Sequence, residues 1–152
     1  MFLINNNKKI ILTLFFKHIS PKYFPAMLTN YENQHATYEF RDSILYIIYK
    51  ADHYIDYQAA RNIVSDRLRF QSYKAFPIIC DVSNVKGISS EAREYLATYG
   101  SDLTKAVALI STKNTQLSLA EYFVTINKPS VPTKIFDNLE DAALFVKKPT
   151  KS

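Results

Sequence analysis

The chain has 152 residues, a length that suits one domain able to bury enough surface to fold without a disulfide or metal. Its formal charge is +5, but the four lysines of residues 1–26 and the three of residues 147–151 together exceed that excess. The body between them is therefore not basic, which argues against nucleic acid as a partner, since nucleic-acid-binding domains carry positive charge on a folded face.

Residues 1–27 differ from the rest. They are rich in Asn and Lys, then run apolar from Ile10 to Phe16 (IILTLFF) until Lys17 and His18 interrupt. The run is far shorter than the roughly 20 residues that span a bilayer. No small-residue cleavage site follows closely, so neither a signal peptide nor stable membrane insertion is expected. A basic, aromatic segment of this kind is compatible with lying on a membrane surface. Met27 opens a stretch that reads smoothly onward (MLTNYENQHATYEF). Residues 1–27 are thus expected to be an extension, either upstream of a misassigned start or a poorly ordered tail. The domain is expected over 28–148, with a short tail at 149–152.

Thr37–Arg41 and Ile44–Lys50 are rich in Tyr, Phe and Ile, and Asp42-Ser43 between them predicts a β-hairpin. Ile55–Phe70 follows as a helix, with Asp56 as N-cap. Ala59, Ala60, Ile63, Val64 and Leu68 form its apolar face, and Arg61, Asp66, Arg67 and Arg69 mostly fall outside it. Pro77–Val82 (PIICDV) reads as a strand buried on both faces, as parallel strands covered by helices are. Ser89–Tyr99 is the next helix, with Gly100 as its stop. Ala106–Ile110 (AVALI) is a second buried strand. Leu119, Ala120, Phe123, Val124 and Ile126 form a helical stripe ended by Lys128-Pro129. Thr133–Phe136 is the last strand, and Asp137 or Asn138 caps a final helix whose charges, acidic first and basic last, complement its dipole. The order ββαβαβαβα predicts a single α/β domain: a mostly parallel four- to five-stranded sheet opened by a β-hairpin, with four helices.

Catalytic patterns are scarce. Gly87 and Gly100 are the only glycines, which excludes a glycine-rich phosphate loop. His18, His35 and His53 are scattered, each expected to be a solvated surface residue, and they offer no zinc ligand set. Cys80 is the single cysteine, so an internal disulfide is excluded and a reducing, cytoplasmic setting is expected. Asp81 stands near the carboxyl end of a buried strand, where open α/β sheets bind ligands. A receiver-type phosphoacceptor there would need an acidic pair and a lysine at other strand ends, and Tyr49-Lys50-Ala51 and Asp137-Asn138 supply neither. The favoured role of Asp81 is to accept backbone N–H bonds in the following loop. Ser89, Ser90 and Glu91 suit a helix start, as cap and dipole partner, or else a site for an anion or phosphoryl group. The 11 tyrosines suit core, rim, ligand cavity or protein interface, and no spacing selects a cofactor.

A strand ending Asp81-Val82-Ser83, then Val85, then Ile88-Ser89-Ser90 opening a helix resembles the central motif of STAS domains, the SpoIIAA-like anti-sigma-factor antagonists and their relatives. That motif reads as a hydrophobic strand, D-L-S, a short loop, and I-D-S-S-G. By element order the resemblance covers roughly 38–148. The later landmarks Asn127-Lys128-Pro129, Pro132–Phe136 and Glu140–Ala143 are similar to small uncharacterised bacterial STAS-like proteins. Position by position, Ser89 replaces the motif Asp, Ser90 the first Ser, Glu91 the serine that is phosphorylated in the antagonists, and Ala92 the Gly. The resemblance implies a non-catalytic, cofactor-free regulatory module that binds another protein, a regulator or kinase-like partner. Its candidate partner-binding or phospho-site residues are Asp81, Ser83, Ser89, Ser90 and Glu91. With Glu91 at the phosphoacceptor position, the usual serine switch is not expected. The alternative is a small-ligand domain for a lipid or nucleotide. The oligomeric state is left open.

Overall fold

The computed structural model describes residues 29–149. The extension expected at 1–27, including His18, lies outside the described residues, as does all but the first residue of the expected tail. A six-stranded sheet has the order β1-β2-β3-β5-β7-β8. Its strands are β1 (Asn30–Glu32), β2 (Ala36–Arg41), β3 (Ile44–Tyr49), β5 (Phe76–Asp81), β7 (Thr104–Ile110) and β8 (Thr133–Phe136). The first two pairings are antiparallel and the remaining three parallel. A separate two-stranded parallel ladder joins β4 (Tyr54–Ile55) to β6 (Gly87–Ile88). The helices are α1 (Tyr57–Phe70), α2 (Ser90–Thr98), α3 (Asn114–Tyr122) and α4 (Leu139–Lys147). This is the expected α/β domain with four helices and a hairpin-opened sheet. β1 is one strand more than the sequence suggested, because its three exposed residues carry no apolar alternation to betray it.

Strand sequence dictates the layering. Along β3, Leu45, Ile47 and Tyr49 face one core and Ile44 and Tyr46 the other. In β5, Ile78 and Cys80 oppose Ile79, and in β7 Leu109 opposes Ala106, Ala108 and Ile110. With a side-chain period of two, strands apolar at every position must be covered on both sides. The larger core takes Ala59, Ala60 and Ile63 of α1, Ala92 of α2 and Ala120 of α3. The smaller core takes Ala142 and Val146 of α4.

Local signals behave as their chemistry predicts at most ends. Asp42 and Ser43 both have positive φ, the requirement of a tight two-residue hairpin turn. Asp56 Oδ1 accepts from Ala59 N, and Asn138, not Asp137, accepts from Asp141 N to cap α4. Pro77 sits where the β5–β7 register shifts, so its missing N–H breaks no regular ladder bond.

Four expectations are corrected. Helix α1 starts at Tyr57, because Ile55 pairs with Ile88. Gly100 is not a left-handed stop: α2 passes into a 3-10 turn at Tyr99–Ser101, and neither glycine has positive φ. Gly87 is needed for space, since a Cβ there would lie 3.0 Å from the Tyr54 ring. The third helix begins at Asn114, five residues before the predicted stripe, and ends in a π turn at Phe123–Asn127, with Lys128 left-handed. Arg67 is buried rather than outside the apolar face, because it lies three residues after Val64 and four after Ile63.

The Arg67 guanidinium is only 2% exposed and has no carboxylate among its acceptors. It donates to Gln71 Oε1, to Thr104 Oγ1 at 3.4 Å, and to the carbonyls of Gly100 at 3.2 Å and Asp102 at 3.0 Å. Gln71 Nε2 in turn donates to the carbonyls of Lys74 at 2.8 Å and Leu103 at 3.1 Å. Together they pin the entry of β7 to the end of α1. Arg67→Met should therefore lower the unfolding free energy by about 2–3 kcal/mol, through acceptors left unpaired. A urea midpoint equal to that of the wild type would contradict this role.

Candidate functional site

The loop between β5 and α2 is strapped from both sides. At its start Asp81 Oδ1 accepts from Ser83 N at 3.0 Å, and Val85 N donates to Val82 O at 3.1 Å. Val85 is buried and anchors the loop to the larger core. Ser83 is also buried, and its Oγ accepts from Thr112 N at 3.3 Å in the loop after β7. Lys113 Nζ donates to Asn84 Oδ1 at 2.6 Å. From the other side Asp52 N donates to Asn84 O at 3.0 Å, and Lys86 N donates to His53 O at 2.9 Å. The β4–β6 ladder follows, and then Ser89 caps α2, its Oγ accepting from Ala92 N at 3.1 Å.

This geometry divides the five candidate residues. Asp81, Ser83 and Ser89 spend their side-chain oxygens on backbone N–H groups, so they shape the loop and the helix start. Ser90 and Glu91 are exposed in the first turn of α2. Ser90 Oγ donates to Glu91 Oε2 at 3.2 Å. Glu91's own backbone N–H, followed by the Ser90 and Ser89 hydroxyls, holds the Glu91 carboxyl below its ordinary pKa.

Tyrosines surround this turn. Tyr95 packs edge-on against Tyr57 with ring centroids 5.5 Å apart, and against Tyr99 at 4.8 Å. Tyr54, Tyr57 and Tyr99 are each about half exposed. The four-residue spacing of Tyr95 and Tyr99 on one helix was readable from sequence, whereas the approach of Tyr57 depends on α1 meeting α2.

Two features escaped sequence reasoning or reversed it. His35 is buried, not solvated, and its Nδ1 lies 2.7 Å from His53 Nε2. At that distance one ring donates to the other, so the pair accommodates one proton between the facing nitrogens. Burial, then the neighbouring His53, lowers the His35 pKa; Asp56 and Asp66 oppose this and Lys50 adds to it. The pair ties the β1–β2 turn to the β3–β4 loop, which in turn straps the site. Among the described residues no group of three or more His, Cys, Asp or Glu side chains could hold a metal ion. Cys80 is buried, and that burial pushes its thiol up to about 12, which suits packing and not nucleophilic chemistry.

The second feature is a partly enclosed cavity of about 110 Å³ between the sheet and helices α1 to α3. Ile78, Cys80 and Leu109 floor it, and Leu96, Ala120 and Phe123 cover it.

A family model described as a domain of unknown function, DUF7793, matches residues 38–150. No curated protein matches the sequence. Among solved structures the chain is similar to an uncharacterised protein of the DUF3478 family with a SpoIIAA-like fold from Shewanella loihica PV-4. The two share 16% identity over 76% of this chain and 98% of that one, with a TM-score of 0.51. The anti-sigma factor antagonist SpoIIAA in its unphosphorylated form is also similar, at 16% identity over 72% of this chain and 94% of that one, with a TM-score of 0.41. The fold is therefore SpoIIAA-like, as the STAS resemblance implied.

A His35 pKa below the ordinary 6.5 means that the folded state holds this proton less tightly than the unfolded chain. The stability it contributes is complete above the unfolded value and is lost as pH falls through the folded one. The melting temperature should hold at about pH 7–8 and fall towards about pH 5, with a shallower fall in His35→Gln. Parallel profiles for the two proteins would refute the contribution of the pair.

Proposed function

We propose that this chain, which belongs to the DUF7793 family of domains of unknown function, is a non-catalytic module that binds a protein partner through the exposed start of α2. The observation that carries this reading is the grouping of Ser90 and Glu91 with the half-exposed Tyr54, Tyr57 and Tyr99. Tyrosine combines a large apolar face with a polar tip at low entropic cost, the combination that interface hot spots favour. The rigid strapping of the loop beneath lowers the ordering cost of binding. The STAS-like fold supports the same use of this end of the sheet.

Glu91 has no hydroxyl to phosphorylate. Its carboxylate, in the first turn of a helix, keeps a constant negative charge favoured by the dipole. Recognition is then constitutive, not switched by a kinase-like partner, although Ser90 retains an exposed hydroxyl. Asp81, Ser83 and Ser89 serve as positioning residues in this reading. No described helix is long and apolar enough to cross a membrane, and the unpaired Cys80 thiol fits a cytoplasmic setting. The alternative of a lipid or nucleotide ligand gains little from the interior cavity, because about 110 Å³ lies well below the roughly 300–1,000 Å³ of ordinary ligand sites.

Affinity purification of the tagged full chain from its native cells, with quantitative mass spectrometry, tests the surface. A specific protein should be recovered with the wild type. Recovery should fall about tenfold or more, the loss of one hot-spot contact, in the double variant Tyr57→Ser/Tyr99→Ser and in Glu91→Lys, provided their melting temperatures match the wild type. Equal recovery by the variants, or no specific protein at all, would overturn the reading. Phosphate on Ser90 of protein isolated from those cells would overturn its constitutive part.

A further inference from the structure

The strap formed by residues 50–53, between β3 and β4, is fastened at one end to the sheet and at the other to the loop between β5 and α2. On the sheet side His35 is held firmly. Its N–H donates to Asn33 Oδ1 at 2.8 Å, its carbonyl accepts from Lys50 N at 3.0 Å, and the residue is buried just before β2. On the loop side Asp52 N donates to Asn84 O, His53 O accepts from Lys86 N, and the β4–β6 ladder that follows is only two residue pairs long. His53 Nε2 lies 2.7 Å from His35 Nδ1. Among the described residues this is the one side-chain hydrogen bond that residues 51–53 make.

Protons decide whether that bond exists. With both rings neutral, one facing nitrogen carries hydrogen and the other a lone pair. One added proton is tolerated, because an imidazolium still donates to a neutral ring. A second leaves two cationic N–H groups facing each other. The neighbouring charges do not relieve this. Lys50 disfavours charge on His35 and already pairs with Glu32 at 2.7 Å. Asp56 and Asp66 favour it, but Asp56 caps α1 and Asp66 accepts from Asn33 and Arg69. Asp52 and Lys86 meet the strap through their backbones. No ion pair among the described residues includes either ring. We propose that the His35–His53 contact is a proton-sensitive clasp: when both rings are charged it opens, releasing residues 51–53 and the 84–88 side of the loop from the sheet. The Ser83–Thr112 side stays fastened. The open strap binds about one proton more than the closed one, so below the ordinary histidine pKa of about 6.5 opening grows about tenfold per pH unit. The release is a property of the free chain. Only its consequence, weaker recognition by Ser90 and Glu91 in acid, rests on the partner-binding reading.

Amide hydrogen exchange of the full chain at about pH 7.5 and about pH 5, each rate divided by its intrinsic value, tests the clasp. Protection of the Asp52 and Lys86 amides should fall about tenfold or more in acid. That of Ile79 in the sheet, and of Thr112 on the other side of the loop, should change by less than about threefold. In His53→Gln the doubly charged pair cannot form, so the acid step at Asp52 and Lys86 should vanish. His35→Gln should do the same; if that buried variant does not fold, His53→Gln decides alone. Equal protection of Asp52 and Lys86 at the two pH values in the wild type would overturn the proposal. So would a step that survives in His53→Gln, or a parallel fall at Ile79 and Thr112, the mark of global opening. Recovery or loss of a protein partner does not enter this measurement, so the clasp and the partner-binding reading fail separately.

Discussion

Apolar side chains on both faces of β3, β5 and β7 constrain everything else in this domain. Leu45, Ile47, Ile78, Cys80 and Leu109 on one side, and Ile44, Ile79, Ala108 and Ile110 on the other, cannot all be dried by a single layer of helices. The chain meets this demand unequally. Three helices cover one face and α4 the other, where Phe136 and Phe145 pack together and Lys134 lies over the Phe145 ring. The three-helix face leaves a gap among Ile78, Leu96, Ala120 and Phe123.

The same layering decides which polar groups stay at the surface. Once Val85 is drawn into the core, the loop around it must satisfy its backbone internally. Asp81 and Ser83 do this within the loop and towards Thr112, and Ser89 does it for the first turn of α2. Three of the five polar side chains in the STAS-like stretch are thereby occupied, leaving Ser90 and Glu91 at the surface. Shaping of the loop and exposure of its polar side chains are thus divided among neighbouring residues. The His35–His53 contact extends it, because the loop it anchors donates and accepts the bonds that hold Asn84 and Lys86.

With only two glycines, neither at positive φ, the chain makes its left-handed turns with other residues: Asp42, Ser43, Asp52, Ser72, Tyr73, Leu103 and Lys128. Aspartate tolerates that conformation, but Tyr73 and Leu103 do so against their steric preference. Both flank the Arg67–Gln71 network, whose bonds to the carbonyls of Gly100, Asp102, Leu103 and Lys74 hold those turns in place. The buried guanidinium thus compensates locally for backbone that lacks glycine.

Local chemistry was enough to read the hairpin at Asp42-Ser43, the caps at Asp56 and Ser89, the two-faced apolar strands, and hence the layered α/β fold with its SpoIIAA-like order. Those features depend on spacing within a few residues, and spacing is what a sequence records. It also placed Ser90 and Glu91 at a helix start. Whether they faced solvent depended on Ser83 reaching Thr112 and Val85 reaching the core. Only the tertiary structure brought His35 to His53, Tyr57 to Tyr95, and Arg93 and Gln116 to one cavity, because each meeting joins positions 18 to 38 residues apart. Arg67 shows the boundary between the two kinds of knowledge. Its charge placed it outside the apolar face expected of α1, although it lies three residues after Val64 and four after Ile63. The acceptors that make burial of a charge tolerable came from the turn before β7, more than thirty residues away.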